Sequence, residues 1–352
     1  MTIQARPWLD RIEPYRPGLH ALTAVGSMAS NESALGASEE VVAAIIAAAT
    51  SIHHYPSPLA DELREALASE HDVHPDQILV GNGSDELIFM LARAYAAQGG
   101  RVVCADPAYR VDEISAQVVD ADVVKVPLVG HSHDLVAMAA VDADIAYVVN
   151  PHNPTGSVTA TDRIERFVDS ANARLVVVDE AYIDFVDDPA TMSAMPLARE
   201  GRAAVLRTFS KVHGLAGARV GYLVASREII ATLRKVRAPF SVSTFAQAAA
   251  LAAVRHPEHR TRVREHTLRV RGELVDLLTR AGYSVVPSQA NFVLVETPDE
   301  QGFVAALAAE GVSVRPGSAL GVPGTVRISV PTLDGLRLLE RCLPPVPTAI
   351  TA

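Results

Sequence analysis

Lys211 is the side chain in this sequence best suited to act as an amine nucleophile. Only three of the 31 Lys and Arg residues are lysines, Lys125, Lys211 and Lys235, and arginine stays charged and cannot serve as such a nucleophile. Lys125 lies in a predicted strand and Lys235 at a solvated helix end. Lys211 instead follows the strand-like run 203–208 and enters a glycine-rich turn, where a ligand can approach the backbone closely. A loop lysine is usually just solvated, but in a binding site its amine can form a Schiff base with an aldehyde.

Polar residues after other predicted strands supply a carboxylate and hydrogen-bond donors. Asp179 follows the apolar run 175–178, where it can keep a ring nitrogen protonated or simply cap the next helix. Asn153 lies in a turn shaped by Pro and Gly, and its amide can donate to a ring oxygen, as can the hydroxyl of Tyr182. Tyr109 offers a flat face to a ring, or is a half-buried core aromatic.

A second group of residues suits a phosphate. Gly83, Ser84 and Asp85 open a predicted helix, and the N–H groups at a helix N-terminus favour an anion. Ser210 and Arg219 flank the lysine and add a hydroxyl and a fixed positive charge. Each signal is weak alone, because Gly-Ser-Asp is also a common helix cap. Together they supply what pyridoxal 5'-phosphate needs: an amine, a carboxylate, a donor to the ring oxygen, a phosphate cradle and a stacking face.

Strands and helices alternate between residues 78 and 224. This pattern predicts an α/β fold whose mostly parallel sheet is covered by helices on both faces. Ser38 is predicted to cap the first long helix, and Thr159 a helix that ends near Ala171. Ligands on such sheets bind at the carboxyl ends of the strands. The candidate residues in loops at such ends are Ser84, Tyr109, Asn153, Asp179 and Lys211.

The pattern changes after Pro239. A long helical region at 243–280, interrupted near His256 and Pro257, is followed by short strands and helices, which predicts a smaller α+β unit. We therefore divide the chain into an N-terminal arm at 1–36 that belongs with the small domain, a large cofactor-binding domain at 37–239, a small C-terminal domain at 240–343 and a disordered tail at 344–352.

The composition argues against several classes of protein. The net charge is −10 and no basic stripe is present, so nucleic acid is not an expected partner. No apolar run reaches the roughly 18 residues needed to span a membrane, and the start lacks the layout of a signal peptide. The two cysteines, Cys104 and Cys342, provide neither a disulfide framework nor a metal site. We expect a cytoplasmic protein with no metal.

The motifs, in this order, resemble those of the class I/II aminotransferases, which are fold-type I pyridoxal phosphate enzymes with the fold of aspartate aminotransferase. The resemblance covers nearly the whole chain and is nearest to the histidinol-phosphate aminotransferase branch. The motifs that carry it are Pro14-Tyr-Arg-Pro-Gly18, His54-Tyr-Pro56, Gly81-Asn-Gly-Ser-Asp-Glu86, Asn150-Pro-His-Asn-Pro-Thr-Gly156, Asp179-Glu-Ala-Tyr182 and Thr208-Phe-Ser-Lys-Val-His-Gly-Leu-Ala-Gly-Ala-Arg219.

The resemblance implies further roles. Tyr55 would reach the cofactor phosphate of the neighbouring subunit, so the enzyme would be a homodimer with shared sites. Arg327 would bind the carboxylate of an amino acid or 2-oxo acid substrate. Asn31 and Tyr15 would line the substrate entrance, and Arg315 would lie near a second anionic group of the substrate.

Within this branch we expect an aromatic amino acid such as phenylalanine as the donor and 2-oxoglutarate as the acceptor. The alternative donor is histidinol phosphate, because Arg315, Tyr15 and Arg327 can together bind a phosphate. A decarboxylase or other lyase on the same fold would use nearly the same residues. His152 and His213 depart from the usual residues of their motifs, and the sequence assigns them no role. The motifs that favour the aromatic donor are Ala29-Ser-Asn-Glu32, Pro239-Phe-Ser-Val-Ser243 and Pro287-Ser-Gln-Ala-Asn-Phe292.

Overall fold

The computed structural model of the protein describes residues 4–14, 21 and 23–346. A 3₁₀ turn at Pro7–Arg11 precedes the regular elements. The strands are β1 (Ile78–Gly81), β2 (Arg101–Asp106), β3 (Asp122–Pro127), β4 (Ala143–Val149), β5 (Ala173–Asp179), β6 (Ala204–Thr208), β7 (Gly221–Val224), β8 (Ser284–Val286), β9 (Phe292–Glu296), β10 (Arg315–Pro316) and β11 (Thr325–Ser329). The α-helices are α1 (Glu39–Ala48), α2 (Asp61–His71), α3 (Gly83–Tyr95), α4 (Arg110–Val118), α5 (Leu135–Ala139), α6 (Thr161–Ser170), α7 (Pro189–Met192), α8 (Met195–Arg199), α9 (Arg227–Val236), α10 (Thr244–Arg255), α11 (Glu258–Arg280), α12 (Glu300–Ala309) and α13 (Leu333–Cys342).

The first sheet has the strand order β1-β7-β6-β5-β4-β2-β3, and β7 runs antiparallel to its neighbours. Helices cover both faces. Successive residues of β4 alternate between two cores, because side chains along a strand point to opposite faces. Ala146 and Val148 face the core that contains α2 and α6, whereas Ile145 and Tyr147 face the core that contains α3 and α9. The predicted α/β fold with a mostly parallel, doubly covered sheet is confirmed.

The second sheet is antiparallel, with the order β10-β11-β9-β8. Its core includes Val293, Val326 and Ile328 from the strands, Leu274 from α11 and Leu339 from α13. The strand predicted at 312–315 is shorter than expected, because Ser313 pairs with the arm instead, donating its N–H to the carbonyl of Gly26 at 2.8 Å. None of the helices in the described part of the chain is both long and apolar enough to cross a membrane.

The N-terminal arm contacts a helix beside the first sheet and the edge of the second sheet. Its 3₁₀ turn packs beside α4, where Trp8 Nε1 donates to the carbonyl of Val118 at 3.2 Å. Farther along, the Met28 N–H donates to the carbonyl of Ser313 at 3.0 Å, and the Met28 carbonyl accepts from the N–H of Ser329 at 2.9 Å. The arm therefore joins the two parts of the fold.

Two local predictions have different outcomes. Ser38 caps α1 by accepting a hydrogen bond from the Val41 N–H, as predicted. The prediction that Thr159 caps α6 is wrong. The helix begins at Thr161, and the Thr159 N–H donates instead to Asn150 Oδ1 at 2.8 Å. The hydrogen bond from Thr159 to the Asn150 side chain therefore holds Thr159 in the loop that precedes the helix.

The domain boundaries stay a prediction, and the packing suggests one adjustment. Ala246 and Ala250 on α10 belong to the core of the first sheet, although they lie beyond the predicted limit at 239. We propose a boundary near His256, between α10 and α11. At the other end, the carbonyl of Pro344 accepts from the Tyr283 hydroxyl at 2.9 Å. The predicted tail beyond Val346 lies outside the described residues.

Candidate active site

A cavity of about 790 Å³ opens between the carboxyl ends of the parallel strands and the second sheet. Gly83 is in close contact with the side chain of Arg219. Tyr55 is not among the lining residues. Tyr15 lies outside the described part of the chain. The predicted site residues that line the cavity are Asn31, Ser84, Asp85, Tyr109, Asn153, Asp179, Tyr182, Ser210, Lys211, Arg219, Arg315 and Arg327. Those that follow strands of the first sheet converge because their loops leave the same edge of that sheet, whereas Asn31 reaches the cavity from the arm and Arg315 and Arg327 from the second sheet.

Lys211 lies in the turn after β6. The turn is closed by the Gly214 N–H, which donates to the Lys211 carbonyl at 3.0 Å, and the Ser210 N–H donates to Thr208 Oγ1 at 3.1 Å. Lys211 Nζ lies 3.4 Å from the carbonyl oxygen of Ser30 and 5.5 Å from the centre of the Tyr182 ring. The amine therefore reaches the cavity between the arm and the first sheet.

Asp179 is a buried carboxylate at the end of β5. Its Oδ1 accepts from the Ala181 N–H at 2.9 Å, which is the local turn bond of a capping aspartate. Burial raises the pKa of Asp179 to about 7, while that hydrogen bond and the charge of Lys211 act in the opposite direction. The side chain therefore favours a cationic partner in the cavity, which would restore its ionised form.

This pKa predicts a pH-dependent stability of the cofactor-free protein. The pKa of Asp179 is raised from 3.8 to about 7, so the stability that the protonated carboxyl provides is complete below about pH 4 and is lost as the pH rises through about 7. The neutral variant Asp179→Asn should escape this loss, gaining up to roughly 4 kcal/mol over the wild type at pH 8. Urea unfolding of both cofactor-free proteins between pH 5 and 8.5 measures this difference. Parallel pH profiles for the two proteins would contradict it.

Tyr182 is the centre of a hydrogen-bonded group of side chains. Its hydroxyl accepts from Asn31 Nδ2 at 3.1 Å and from Asn153 Nδ2 at 3.4 Å. The orientation of Asn153 follows from Arg327, a pure donor, whose Nη1 lies 2.7 Å from Asn153 Oδ1. Because two N–H groups already reach the Tyr182 oxygen, its own proton is available to an acceptor in the cavity.

The start of α3 and the side chain of Arg219 form an anion-binding corner. The helix has no side-chain cap, so its first N–H groups remain available. Gly83 has a φ of +73°, and an added Cβ would lie 2.5 Å from Arg219 Nη2, so only glycine fits there. Arg219 is held by Asp85 at 2.9 Å and donates to Ser210 Oγ at 3.3 Å. Fixed donors of this kind suit a phosphate.

Tyr109 precedes α4 and donates its hydroxyl proton to Asp85 Oδ1 at 3.0 Å. Burial raises its pKa well above the usual value, so the phenol stays neutral.

Lys125 also lines the cavity, although its strand position gave no reason to expect this. Its Nζ is paired with Asp106 at 2.9 Å and Glu113 at 3.5 Å.

Sequence reasoning also missed two polar residues, Ser329 and Asn291, that hold the lining residue Asn31. Ser329 Oγ accepts from the Asn31 backbone N–H at 2.8 Å and donates to Asn31 Oδ1 at 2.9 Å. Asn291 Nδ2 donates to the Asn31 carbonyl at 3.0 Å. They hold Asn31 in a left-handed conformation, with a φ of +55°. Ser329 could have been found from its spacing, because it lies two residues after Arg327 on the same face of β11. Asn291 carried no such signal.

Arg315 and Arg327 are direct partners in the register of β10 and β11. Both are buried and both line the cavity. Arg327 also donates to the carbonyl of Ala29 at 2.9 Å. Guanidinium groups bind carboxylates and phosphates through paired hydrogen bonds, so an anion suits this part of the cavity.

Comparison with known proteins identifies the family. The family model described as aminotransferase class I and II matches residues 24–340. The chain is a class I and II aminotransferase. Histidinol-phosphate aminotransferase from Brevibacillus brevis is 38% identical over 319 residues, covering 89% of this aminotransferase and 88% of that protein. An aromatic amino acid aminotransferase from Mycobacteroides abscessus is also 38% identical, over 331 residues that cover 93% and 95% of the two chains.

Solved structures agree with this assignment. Histidinol-phosphate aminotransferase from Sinorhizobium meliloti, in complex with pyridoxal 5'-phosphate, superposes with a TM-score of 0.86 at 26% identity, covering 98% of this aminotransferase and 97% of that chain. An aspartate aminotransferase from Thermus thermophilus, at 23% identity and a TM-score of 0.81 over 97% and 100% of the two chains, shows the same fold.

The aminotransferase uses pyridoxal 5'-phosphate, and the residues present fit this cofactor. The corner at Gly83 and Arg219 provides donors and positive charge for a phosphate. Buried Asp179 suits a protonated ring nitrogen, because burial raises its pKa to about 7 and a cationic neighbour would favour its ionised form. Lys211 supplies the amine at the cavity wall. The individual roles of these residues remain a proposal.

Proposed function

We propose that this aminotransferase moves the amino group of histidinol phosphate to a 2-oxo acid such as 2-oxoglutarate. The observation that carries the proposal is the pair Arg315 and Arg327, two buried arginines that are register partners on neighbouring strands and both line the cavity. Guanidinium groups bind phosphate and carboxylate through paired hydrogen bonds. One pair can therefore hold the phosphate of the donor in one half-reaction and a carboxylate of the acceptor in the other.

The relatives support this donor over the aromatic amino acid of our main interpretation. Proteins named histidinol-phosphate aminotransferase match at 35–39% identity in several bacteria. The relative from Mycobacteroides abscessus keeps an aromatic amino acid as the second candidate donor. An aromatic donor has no phosphate for the two arginines, and this difference can be measured.

The chemistry can be assigned to residues of this chain. When bound, pyridoxal 5'-phosphate supplies an aldehyde that bonds covalently to an amine and a ring that withdraws electrons. We infer that Lys211 Nζ would take the proton from the α-carbon of the donor, acting as a positioned base. Asp179 would keep the ring nitrogen protonated, Asn153 and Tyr182 would donate to the ring oxygen, and Tyr109 would cover one face of the ring. The residues that would hold the phosphate are Gly83, Ser84, Asp85, Ser210 and Arg219, with Asp85 acting through Arg219.

The test is single-donor conversion of the cofactor-loaded protein. L-Histidinol phosphate, L-histidinol and L-phenylalanine are each mixed with the protein, and the visible absorption of the cofactor is followed in a stopped-flow instrument. We expect rapid loss of this absorption with histidinol phosphate and at least about 100-fold slower loss with L-histidinol, because the phosphate contacts are missing. Conversion by phenylalanine alone would establish the aromatic donor instead. Release of carbon dioxide from an amino acid without an acceptor would indicate a lyase.

We also propose that the enzyme is a homodimer whose partner subunit supplies Tyr55. Tyr55 is 83% exposed and stacks on Phe240 at 4.7 Å between ring centres. Val42 and Ile46 on α1 and Ile52 beyond it are also exposed, and an apolar patch of this kind marks an interaction surface. Tyr55 is not among the residues that line the active-site cavity of its own subunit, which is consistent with a role in another subunit.

Hybrid dimers test this assignment. Tyr55→Ala and Lys211→Ala should each give nearly inactive homodimers. When the two are co-expressed with different tags, the hybrid should contain one site with both wild-type residues and one site with neither. We expect the purified hybrid to recover about half of the wild-type kcat with an unchanged KM. Activity no greater than the sum of the two parents would show that Tyr55 serves its own subunit.

A further inference from the structure

His152 has no part in the function proposed above, although it lies immediately before Asn153. It is fully buried in the turn that follows β4. Its Nε2 lies 3.1 Å from the carbonyl oxygen of Pro107, and its Nδ1 lies 2.9 Å from Thr155 Oγ1. The ring therefore connects two loops that are about 45 residues apart in sequence.

The two contacts determine the tautomer of the ring. The Pro107 carbonyl can only accept a hydrogen bond, so Nε2 must carry the proton. Burial lowers the pKa of His152 to about 4, which keeps the ring neutral at physiological pH. Nδ1 is then an acceptor, and Thr155 must donate its hydroxyl proton to it.

The remaining hydroxyl groups are consistent with this assignment. Thr155 Oγ1 also lies 2.9 Å from the carbonyl oxygen of His131, but Ser157 Oγ already donates to that carbonyl at 2.7 Å, so the Thr155 proton is left for Nδ1. The Ser157 N–H lies 3.3 Å from Thr155 Oγ1, which accepts it. The turn itself is closed by the His152 N–H, which donates to the Ser157 carbonyl at 2.7 Å. Each proton in this group has one acceptor.

Both loops joined by His152 carry residues that face the cavity. One carries Asn153, whose Oδ1 is held by Arg327. The other carries Pro107 and Tyr109. Pro107 packs closely against the segment between β10 and β11, where a Cβ added to Gly321 would lie 2.8 Å from the Pro107 Cβ. The spacing of these two loops sets the distance between the face of the Tyr109 ring and the Asn153 amide.

We propose that His152 is a positioning residue, which as its neutral Nε2–H tautomer fixes the turn of Asn153 against the loop of Tyr109. The inference rests on the cofactor roles proposed for Asn153 and Tyr109, but not on the identity of the amino donor. Its measurements need no turnover, so failure of the histidinol-phosphate assignment would leave them unaffected.

The main test compares His152→Phe with His152→Gln in the cofactor-loaded enzyme. Phenylalanine fills the space but loses both hydrogen bonds, whereas glutamine retains an N–H for Pro107. We expect His152→Phe to raise the Kd of pyridoxal 5'-phosphate about tenfold. It should also move the pH midpoint of the cofactor's visible absorption upward by about one unit, because a displaced Asn153 amide stabilises less negative charge on the ring oxygen. His152→Gln should recover most of both effects.

His133 provides a matched control. It is also a buried histidine, its ring packs edge-to-face on His152 at 4.7 Å, and its Nε2 has no hydrogen-bond partner within the described residues. His133→Phe should leave the Kd and the absorption midpoint at their wild-type values. An equal shift in His133→Phe and His152→Phe would overturn the proposal, because packing alone would then account for both.

A second pair covers the case in which His152→Phe does not fold. Thr155→Val removes the donor to Nδ1, and Thr155→Ser retains it. We expect a smaller upward shift of the absorption midpoint in Thr155→Val and none in Thr155→Ser. In ¹⁵N-histidine NMR spectra, the His152 signals should show the neutral Nε2–H form from pH 6 to 8. A lower melting temperature with wild-type absorption in Thr155→Val and His152→Phe, or a protonated or Nδ1–H ring, would overturn the proposal.

Discussion

Replacing Lys211 with alanine is expected to lower kcat by at least about 10⁴-fold without disturbing the fold. The lysine is assigned two tasks, the covalent attachment of the cofactor and the transfer of the proton, and a positioned acid–base group alone contributes 10²–10⁴-fold. Its amine lies 3.4 Å from the Ser30 carbonyl and 5.5 Å from the centre of the Tyr182 ring, and because both contacts are long, its removal should cost little stability. Single-turnover conversion of the bound cofactor and thermal unfolding measure the two effects separately.

Lys125→Ala is the matched control for this prediction. Lys125 is also a lysine at the wall of the same cavity, but its amine is held by Asp106 and Glu113. We expect its turnover to stay within about fivefold of the wild type, because only two ion pairs of a partly exposed lysine are lost. Added methylamine should partly restore proton transfer in Lys211→Ala. Substantial turnover by Lys211→Ala without an added amine, or an equal loss of turnover in Lys125→Ala, would contradict the role proposed for Lys211.

Replacing Arg327 with glutamine is expected to lower kcat/KM about 10³-fold for both histidinol phosphate and 2-oxoglutarate. A hydrogen bond to a charged group contributes about 1.5–3 kcal/mol, so the loss of two such bonds from one guanidinium corresponds to roughly 10³-fold. Arg315→Gln should cost about 10²-fold, because Arg327 would retain part of the anion site. Lysine at position 327 should restore the charge but not the paired geometry.

The control for this prediction is the substrate pair of L-histidinol phosphate and L-histidinol. The wild type should prefer the phosphorylated donor strongly, and Arg315→Gln should reduce this preference while L-histidinol reacts at an unchanged rate. Arg327 also holds Asn153, so the visible absorption of the cofactor must be checked in its variants. An equal loss for both donors in Arg315→Gln would show that the arginine supports the fold rather than the phosphate.

Much of the first sheet and the cofactor region follows from local patterns. The apolar runs that form β4 and β5 face a core on both sides, so they contain few polar residues and are recognisable in the sequence. The residues that follow such strands converge by a general rule of α/β sheets. This is why the neighbourhood of Asp179, Asn153 and Lys211 could be predicted without coordinates.

Other local predictions failed or stayed incomplete because partners far away in sequence decide them. Threonine is a residue type that often caps helices, but the backbone N–H of Thr159 donates to the Asn150 side chain, so Thr159 belongs to the preceding loop. The core of the first sheet includes α10, although the pattern changes at Pro239. Lys125 lines a cavity that residues of the second sheet also line, and its local sequence gives no sign of this arrangement.

The sequence by itself determined the α/β class, the chemistry of the site and the loops that carry it, because periodic burial and strand-end residues are local properties. Only the tertiary structure decided that Arg315 and Arg327 lie side by side and that Asn31 is held by Ser329 and Asn291. It alone showed that Asp179 is buried deeply enough for its pKa to rise to about 7. Strand register, long-range hydrogen bonds and desolvation depend on which distant segments pack together, and no local pattern encodes that.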